Sequence, residues 1–205
     1  MKKHELPTIA DLHLNIDLKK LQQETDKLAE KFVDVRTANP MLCDNHMELV
    51  KSVYDNFEQI NLTEPTELLP YTTSIKERLK RREEHLYKVP TTDYKGSYFQ
   101  EIVEQLTASA SRVRITKLAA GKEIPFHVDY DVSYAVRCIC PIYSDDLVIN
   151  QFRRDGEIEE YILKPGHAYF LNIGYPHAVF NRSDKPRIAL MFSLEGTDDL
   201  ENLLN

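Results

Sequence analysis

The feature that most constrains this chain is a change of hydrophobic period near residue 110. Before it, apolar residues recur at helical spacing. Leu18, Leu21, Leu28 and Phe32 follow the cap candidate Asp17, and Met47, Val50, Val53, Tyr54 and Phe57 form a second stripe behind Asp44 and Asn45. A further helix is expected from about Ser97 to Thr107, with Tyr98, Ile102, Val103 and Leu106 inward. Between them, Ile75 to Tyr87 is heavily charged. Lys76 to Arg82 is balanced by Glu77, Glu83 and Glu84, so this stretch reads as a helix with a mostly solvated face.

After residue 110 the period is two. Short β-branched or aromatic runs alternate with turn chemistry at Ala120-Gly121-Lys122, Asp155-Gly156-Glu157, Pro165-Gly166 and Asn181 to Pro186. About eight strands at such spacing mark an antiparallel sandwich or barrel. The fold class expected is therefore α+β, with a helical N-terminal layer over 1–110, a β core over 111–196 and a tail over 197–205. A chain of 205 residues holds one sizeable core more comfortably than two, so a single domain is expected.

One strand says where the helices go. In Arg187 to Leu194, one face carries Ile188, Leu190, Phe192 and Leu194, and the other Arg187, Ala189, Met191 and Ser193. The apolar face needs a cover, and the N-terminal layer is the material for it. Arg187 then looks into the sandwich, where a guanidinium needs an anionic partner.

Charge and composition exclude several classes. A net charge of −7 repels phosphate backbones, so nucleic acid is not expected as a partner. No apolar run approaches the roughly 18 residues that span a bilayer, so no membrane partner is expected. Met1 to Leu14 lack the layout of a signal peptide, which makes a cytoplasmic location the expectation. Cys138 and Cys140 sit two apart, on one face of a strand with Val136 and Ile142, and read as buried, reduced fillers.

The chemistry gathers in the second half. His127-Val128-Asp129 offers an imidazole and a carboxylate on one face of extended backbone, and His177 stands in Gly174-Tyr175-Pro176-His177. Two histidines and one carboxylate form the facial triad of non-haem iron(II) oxygenases, although zinc accepts the same set. Arg187 follows on the next strand, past a loop. Its planar fork suits the distal carboxylate of 2-oxoglutarate, and Arg137 and the hydroxyl of Thr116 are further donors. Period two sets Arg114 and Arg112 on the face of Thr116, so Arg114 is a candidate for a substrate carboxylate. Tyr130 and Tyr134 are candidates for the substrate entrance. His4, His13, His46, His85 and His167 read as exposed. Asp131 is the alternative carboxylate, and the spacing favours Asp129.

The segment from about Arg112 to Gly196 resembles the aspartyl/asparaginyl β-hydroxylase-like family of 2-oxoglutarate dioxygenases. The resemblance rests on Ile115-Thr116-Lys117-Leu118, on Ala120-Gly-Lys-Glu-Ile-Pro-Phe-His127 and on Arg137. It continues in Leu163-Lys-Pro-Gly-His-Ala-Tyr-Phe170, His177-Ala-Val-Phe-Asn181 and Arg187. It implies a double-stranded β-helix of jelly-roll, cupin-like form. Iron(II), 2-oxoglutarate and O2 would serve hydroxylation of an unactivated C–H bond, with succinate and CO2 as coproducts and ascorbate as a stimulant. By position it implies His127 and His177 as iron ligands and Thr116, Arg137 and Arg187 as cosubstrate contacts. Asp129 makes this chain similar to relatives that hydroxylate amino acids such as proline, and Ile139 stands where the family often has a second histidine. The implied substrate is a small amino acid or a peptide or protein residue of Asp, Asn or Pro type. Two other classes stay open: a non-oxygenase metal cupin acting as an isomerase or hydrolase, and a silent sensor of a carboxylate ligand.

Overall fold

The computed structural model describes residues 3–39, 57–70 and 72–201. In chain order the strands are β1 (Ile9–Asp11), β2 (Val33–Asp34), β3 (Phe57–Asn61), β4 (Thr63–Pro65), β5 (Tyr87–Pro90), β6 (Ala110–Leu118) and β7 (Glu123–His127). They continue as β8 (Val136–Tyr143), β9 (Val148–Arg154), β10 (Glu157–Tyr161), β11 (Tyr169–Leu171), β12 (His177–Asn181) and β13 (Arg187–Leu194). The helices are α1 (Leu18–Asp26), α2 (Val35–Ala38), α3 (Ile75–Lys80), α4 (Tyr98–Val103) and α5 (Asp198–Glu201).

The eight strands after residue 110 divide into two antiparallel sheets. One contains the order β11-β8-β13-β6, the other β10-β9-β12-β7. Successive strands switch sheets at β6–β7, β7–β8 and β8–β9, and again from β10 through β13. This is the double-stranded β-helix. The turn residues allow the reversals: Gly121, Gly156 and Gly166 all adopt positive φ.

Strand β13 lies at the centre of the larger sheet and separates two environments. Leu190, Phe192 and Leu194 are fully buried against Leu21, Leu28, Phe99 and Ile102 of the N-terminal region. The opposite face sends Ala189 and Met191 into a smaller cluster with Ile139, Phe152 and Ile173, between the two sheets. Cys138 and Cys140 are buried free thiols in the first cluster, beside Val136 and Ile142. The cover is held at its ends by caps. Asp17 accepts from the Lys20 backbone N–H at 3.1 Å and Ser97 from that of Gln100 at 3.3 Å. Lys20 pairs with Glu101 at 2.7 Å, joining α1 to α4.

The N-terminal layer departs from the helical expectation in three ways. First, it is partly strand. β1 extends the larger sheet beside β11, and β3 and β2 extend it beyond β6. The outer strands β6 and β11 would otherwise carry unpaired backbone groups along their open edges, and pairing satisfies them. Phe57, read as the end of a helical stripe, is instead the first residue of β3, opposite Leu118. Met47, Val50, Val53 and Tyr54 lie outside the described residues, as does His46. Second, the helix expected to reach Thr107 stops at Val103. The backbone N–H groups of Thr107 and Ala108 donate to the Asp199 carboxylate at 2.7 and 2.9 Å instead of to helical carbonyls. Third, the charged stretch is a solvated helix only over Ile75–Lys80, where Arg78 alone is buried. Arg82 takes a left-handed conformation with φ 52°, and Glu83 to Leu86 form a 3-10 turn whose Glu83, Glu84 and His85 are buried. His85, expected to be exposed, lies with Nε2 2.6 Å from the Tyr134 carbonyl and Nδ1 3.2 Å from Ser111 Oγ. Among the described helices, none is long and apolar enough to cross a membrane.

Because β13 and the N-terminal helices share one core, Phe192→Ala should destabilise by about 3–5 kcal/mol in a denaturant titration. Leu147→Ala, at a site 55 % exposed, should stay within about 0.5 kcal/mol.

Candidate metal centre

The smaller sheet builds the site by register. His177, at the start of β12, is paired directly with His127, the last residue of β7. Directly opposed residues on adjacent strands project to the same side, and the two rings stand 4.2 Å apart, centre to centre. Phe152, opposite His177 on β9, stacks behind it at 5.6 Å and limits its rotation. Asp129 lies two residues past the end of β7. Its backbone N–H donates to the Ile173 carbonyl at 3.2 Å, which fastens the loop beside the β11–β12 connection.

The three side chains converge. His127, Asp129 and His177 each offer one ligand atom within 4.8 Å of the others, and His127 Nε2 is 3.7 Å from Asp129 Oδ1. Both imidazoles are oriented from behind. Nδ1 of His127 donates to the Pro125 carbonyl at 2.8 Å, and Nδ1 of His177 to the Tyr175 carbonyl at 3.1 Å. That choice of tautomer leaves both Nε2 lone pairs for a cation. Burial, then the neighbouring His127, pushes His177 down to about 4, so its lone pair is available at neutral pH. The donor set is hard and borderline, one carboxylate and two imidazoles, and suits iron(II), manganese(II) or zinc. Asp131, the alternative carboxylate, is occupied elsewhere: its Oδ1 accepts from the Ser133 backbone N–H at 3.0 Å.

A cavity of about 80 Å³ opens at these ligands, and Arg137, Asn150 and Arg187 line it with them. Arg187 is 3 % exposed. Burial pushes it down to about 10, and among the described residues no acidic side chain offsets that shift. It remains a cation at neutral pH, in an environment that disfavours charge. Arg137, 4 % exposed, donates through Nη2 to Glu84 Oε1 at 2.8 Å, while its buried Nη1 has no hydrogen-bond partner among the described residues.

The remaining residues singled out in the sequence lie further off. Thr116 is fully buried, and its hydroxyl lies 3.3 Å from the Ala189 carbonyl and 3.3 Å from Sδ of Met191, which lines the cavity. Arg114 is held near Glu84 Oε1 at 3.9 Å and donates to the Arg112 carbonyl at 3.4 Å. Burial, then Arg137 and Arg112, pushes it down to about 9. The rings of Tyr130 and Tyr134 lie 4.4 Å apart, tilted by 34°, and with Val128, Ile75 and Leu79 they wall a second hollow of about 200 Å³ that also reaches Asp129. Reasoning from sequence missed Glu84, the carboxylate on which Arg112, Arg114 and Arg137 converge. Its only signal was an acid inside a basic run, which looks the same as a solvated helix.

A family model described as aspartyl/asparaginyl beta-hydroxylase matches residues 17–196. No curated protein matches the chain. Among solved structures, a prolyl-4-hydroxylase from Pseudomonas putida is similar over 91 % of both chains, at 11 % identity and a TM-score of 0.49. A 2OG-Fe(II) oxygenase family oxidoreductase from Burkholderia pseudomallei is similar over 68 % of each chain, at 13 % identity and a TM-score of 0.42. A cupin domain from Bordetella pertussis covers 45 % of this chain and 88 % of its own, at 17 % identity and a TM-score of 0.34.

Asp129→Ala should weaken binding of cobalt(II) or manganese(II), read by calorimetry, by at least the ~10–100-fold that loss of a ligand-supporting group typically costs. Asp131→Ala should bind the same ions as tightly as the parent. The reverse pattern would move the carboxylate ligand to Asp131.

Proposed function

Since the chain belongs to the aspartyl/asparaginyl β-hydroxylase family, we propose that it is an iron(II)- and 2-oxoglutarate-dependent oxygenase hydroxylating an unactivated C–H bond of an amino acid or peptidyl residue of Asp, Asn or Pro type. The observation that carries this reading is Arg187, a buried guanidinium without an acidic partner among the described residues, in the same cavity as two histidines and a carboxylate.

In this reading His127, Asp129 and His177 hold the metal through two Nε2 atoms and one carboxylate oxygen. When bound, iron and 2-oxoglutarate supply dioxygen activation, one oxygen atom going into the C–H bond and the other into succinate as CO2 is lost. The chain's own residues bind, orient and exclude water. Arg187 holds the distal carboxylate of the cosubstrate with its planar fork, and Arg137 offers Nη1 as a second donor. Phe152, Ile139, Leu171 and Ile173 provide apolar walls that keep the neighbourhood of the ligands dry. The hollow beside Asp129, walled by Tyr130 and Tyr134, is the approach for the substrate, and Arg114 is the candidate to hold a substrate carboxylate. A metal-dependent isomerase or hydrolase would use the same ligands but give Arg187 no anion to hold.

Protein supplied with iron(II), ascorbate and 2-oxoglutarate but no substrate should release succinate slowly. Absence of succinate under these conditions, with iron bound, would sink the reading. Arg187→Ala should raise the KM for 2-oxoglutarate about a hundredfold with a smaller change in kcat, because the contact is present before and during reaction. Arg187→Lys should recover part of the loss, since an ammonium keeps the charge and loses the fork.

A further inference from the structure

The N-terminal region contributes one side chain to the interior of the β sandwich that nothing above assigns to chemistry. Glu84 sits on the 3-10 turn Glu83–Leu86 and is 1 % exposed. Its Oε2 accepts from Arg112 Nη1 at 2.8 Å. Its Oε1 accepts from Arg137 Nη2 and from Ser193 Oγ, both at 2.8 Å, and lies 3.9 Å from Arg114 Nη1. Burial alone would raise this carboxyl; Arg112, Arg137 and Arg114 together hold it well below the ordinary carboxylate range. The turn is fixed in its own right: the Glu84 backbone N–H donates to the Tyr134 hydroxyl at 3.2 Å.

Two features separate this cluster from an ordinary buried ion pair. The first is stoichiometry. Three guanidinium groups converge on one carboxylate, and the other acids that act on them, Glu83 on Arg112 and Asp129 on Arg114, do so from outside the cluster, so one buried anion directly balances three buried cations. The second is geometry. Strand β6 carries a bulge opposite Met191 and Ser193, with Arg112 in the left-handed region at φ 48°. The bulge brings Arg112 onto one oxygen of Glu84, leaving the other for Arg137. Arg137 therefore uses Nη2 on Glu84, while its buried Nη1 has no hydrogen-bond partner among the described residues although the side chain lines the cavity. A guanidinium placed only for stability would leave no buried N–H unsatisfied.

We propose that Glu84 is a positioning residue of the oxygenase site, clamping one nitrogen of Arg137 so that the other is presented to the anionic cosubstrate. This rests on the function proposed above. It makes residues outside the β-helix part of the working site: the N-terminal segment covers the core and also supplies the counter-ion that sets one face of the cavity.

The test is a titration of 2-oxoglutarate into anaerobic, iron-loaded protein, followed by charge-transfer absorbance, for the parent, Glu84→Gln, Arg137→Gln and the double variant. Glu84→Gln should raise Kd about tenfold, the loss expected for one misplaced charge-assisted hydrogen bond, while kcat for uncoupled succinate release at saturating cosubstrate changes less. In the Arg137→Gln background, Glu84→Gln should have no further effect on Kd, because both act through one group. Glu84→Asp, which keeps the charge, should fall between the parent and Glu84→Gln. Should Glu84→Gln fail to fold, Glu84→Gln with Arg112→Gln removes one charge of each sign and should show the same rise in Kd. Parent-like affinity in the folded Glu84 variants, or additive effects of Glu84→Gln and Arg137→Gln, would overturn the positioning role and leave the oxygenase reading standing. A parent protein that binds no 2-oxoglutarate overturns both.

Discussion

Strand β12 runs between β7 and β9, and its register against β7 sets His177 across from His127. In a sheet whose side chains alternate with period two, a slip of one residue would turn one imidazole out of the pair. The buried face of β12, with Phe152 on its other neighbour and Asn181 donating to the Leu118, Ala119 and Lys185 carbonyls, defines that register. Everything at the cavity then follows from ordinary strand geometry. The two Nδ1 atoms face backbone carbonyls two residues back, the two Nε2 atoms face each other's neighbourhood, and Asp129 completes the cluster from the loop.

The treatment of buried positive charge sets the two arginines apart. Arg187 has no acidic partner among the described residues, which leaves its fork available to a ligand. Arg137 is tethered by Glu84 and keeps one nitrogen in reserve. Burying cations this way costs stability, and a core built for stability alone would replace them with apolar side chains. Under the function proposed above, the dianionic cosubstrate would supply the counter-ion. The rest of the interior is conventional, with the N-terminal helices packed over Leu190, Phe192 and Leu194.

The β core was legible because two signals agreed. Alternation over Arg187 to Leu194 named both faces of β13 correctly, and turn residues separated the strands where the chain reverses. The three ligand candidates that come together, His127, Asp129 and His177, were also visible as residue types at a spacing with chemical meaning. The N-terminal layer was less legible. Short strands such as β1, β2 and β3 form because an exposed sheet edge offers them hydrogen bonds, and no local pattern reports that edge. The inward position of Thr116 was readable from the alternation, whereas the contacts of its hydroxyl with the Ala189 carbonyl and Met191 Sδ depend on strand pairing.

By itself, then, the sequence determined the periods, the turn chemistry and the composition of a metal-binding set, because those depend on residues close along the chain or on residue type alone. Tertiary structure decided which groups become partners. Glu84 reads locally as one more charge on a solvated helix, yet it is the buried anion that Arg112, Arg114 and Arg137 share. Pairing between buried charges is a property of low-dielectric space that several distant segments enclose together. No window of sequence contains that space, so only the folded chain could show which arginine is tethered and which is left free.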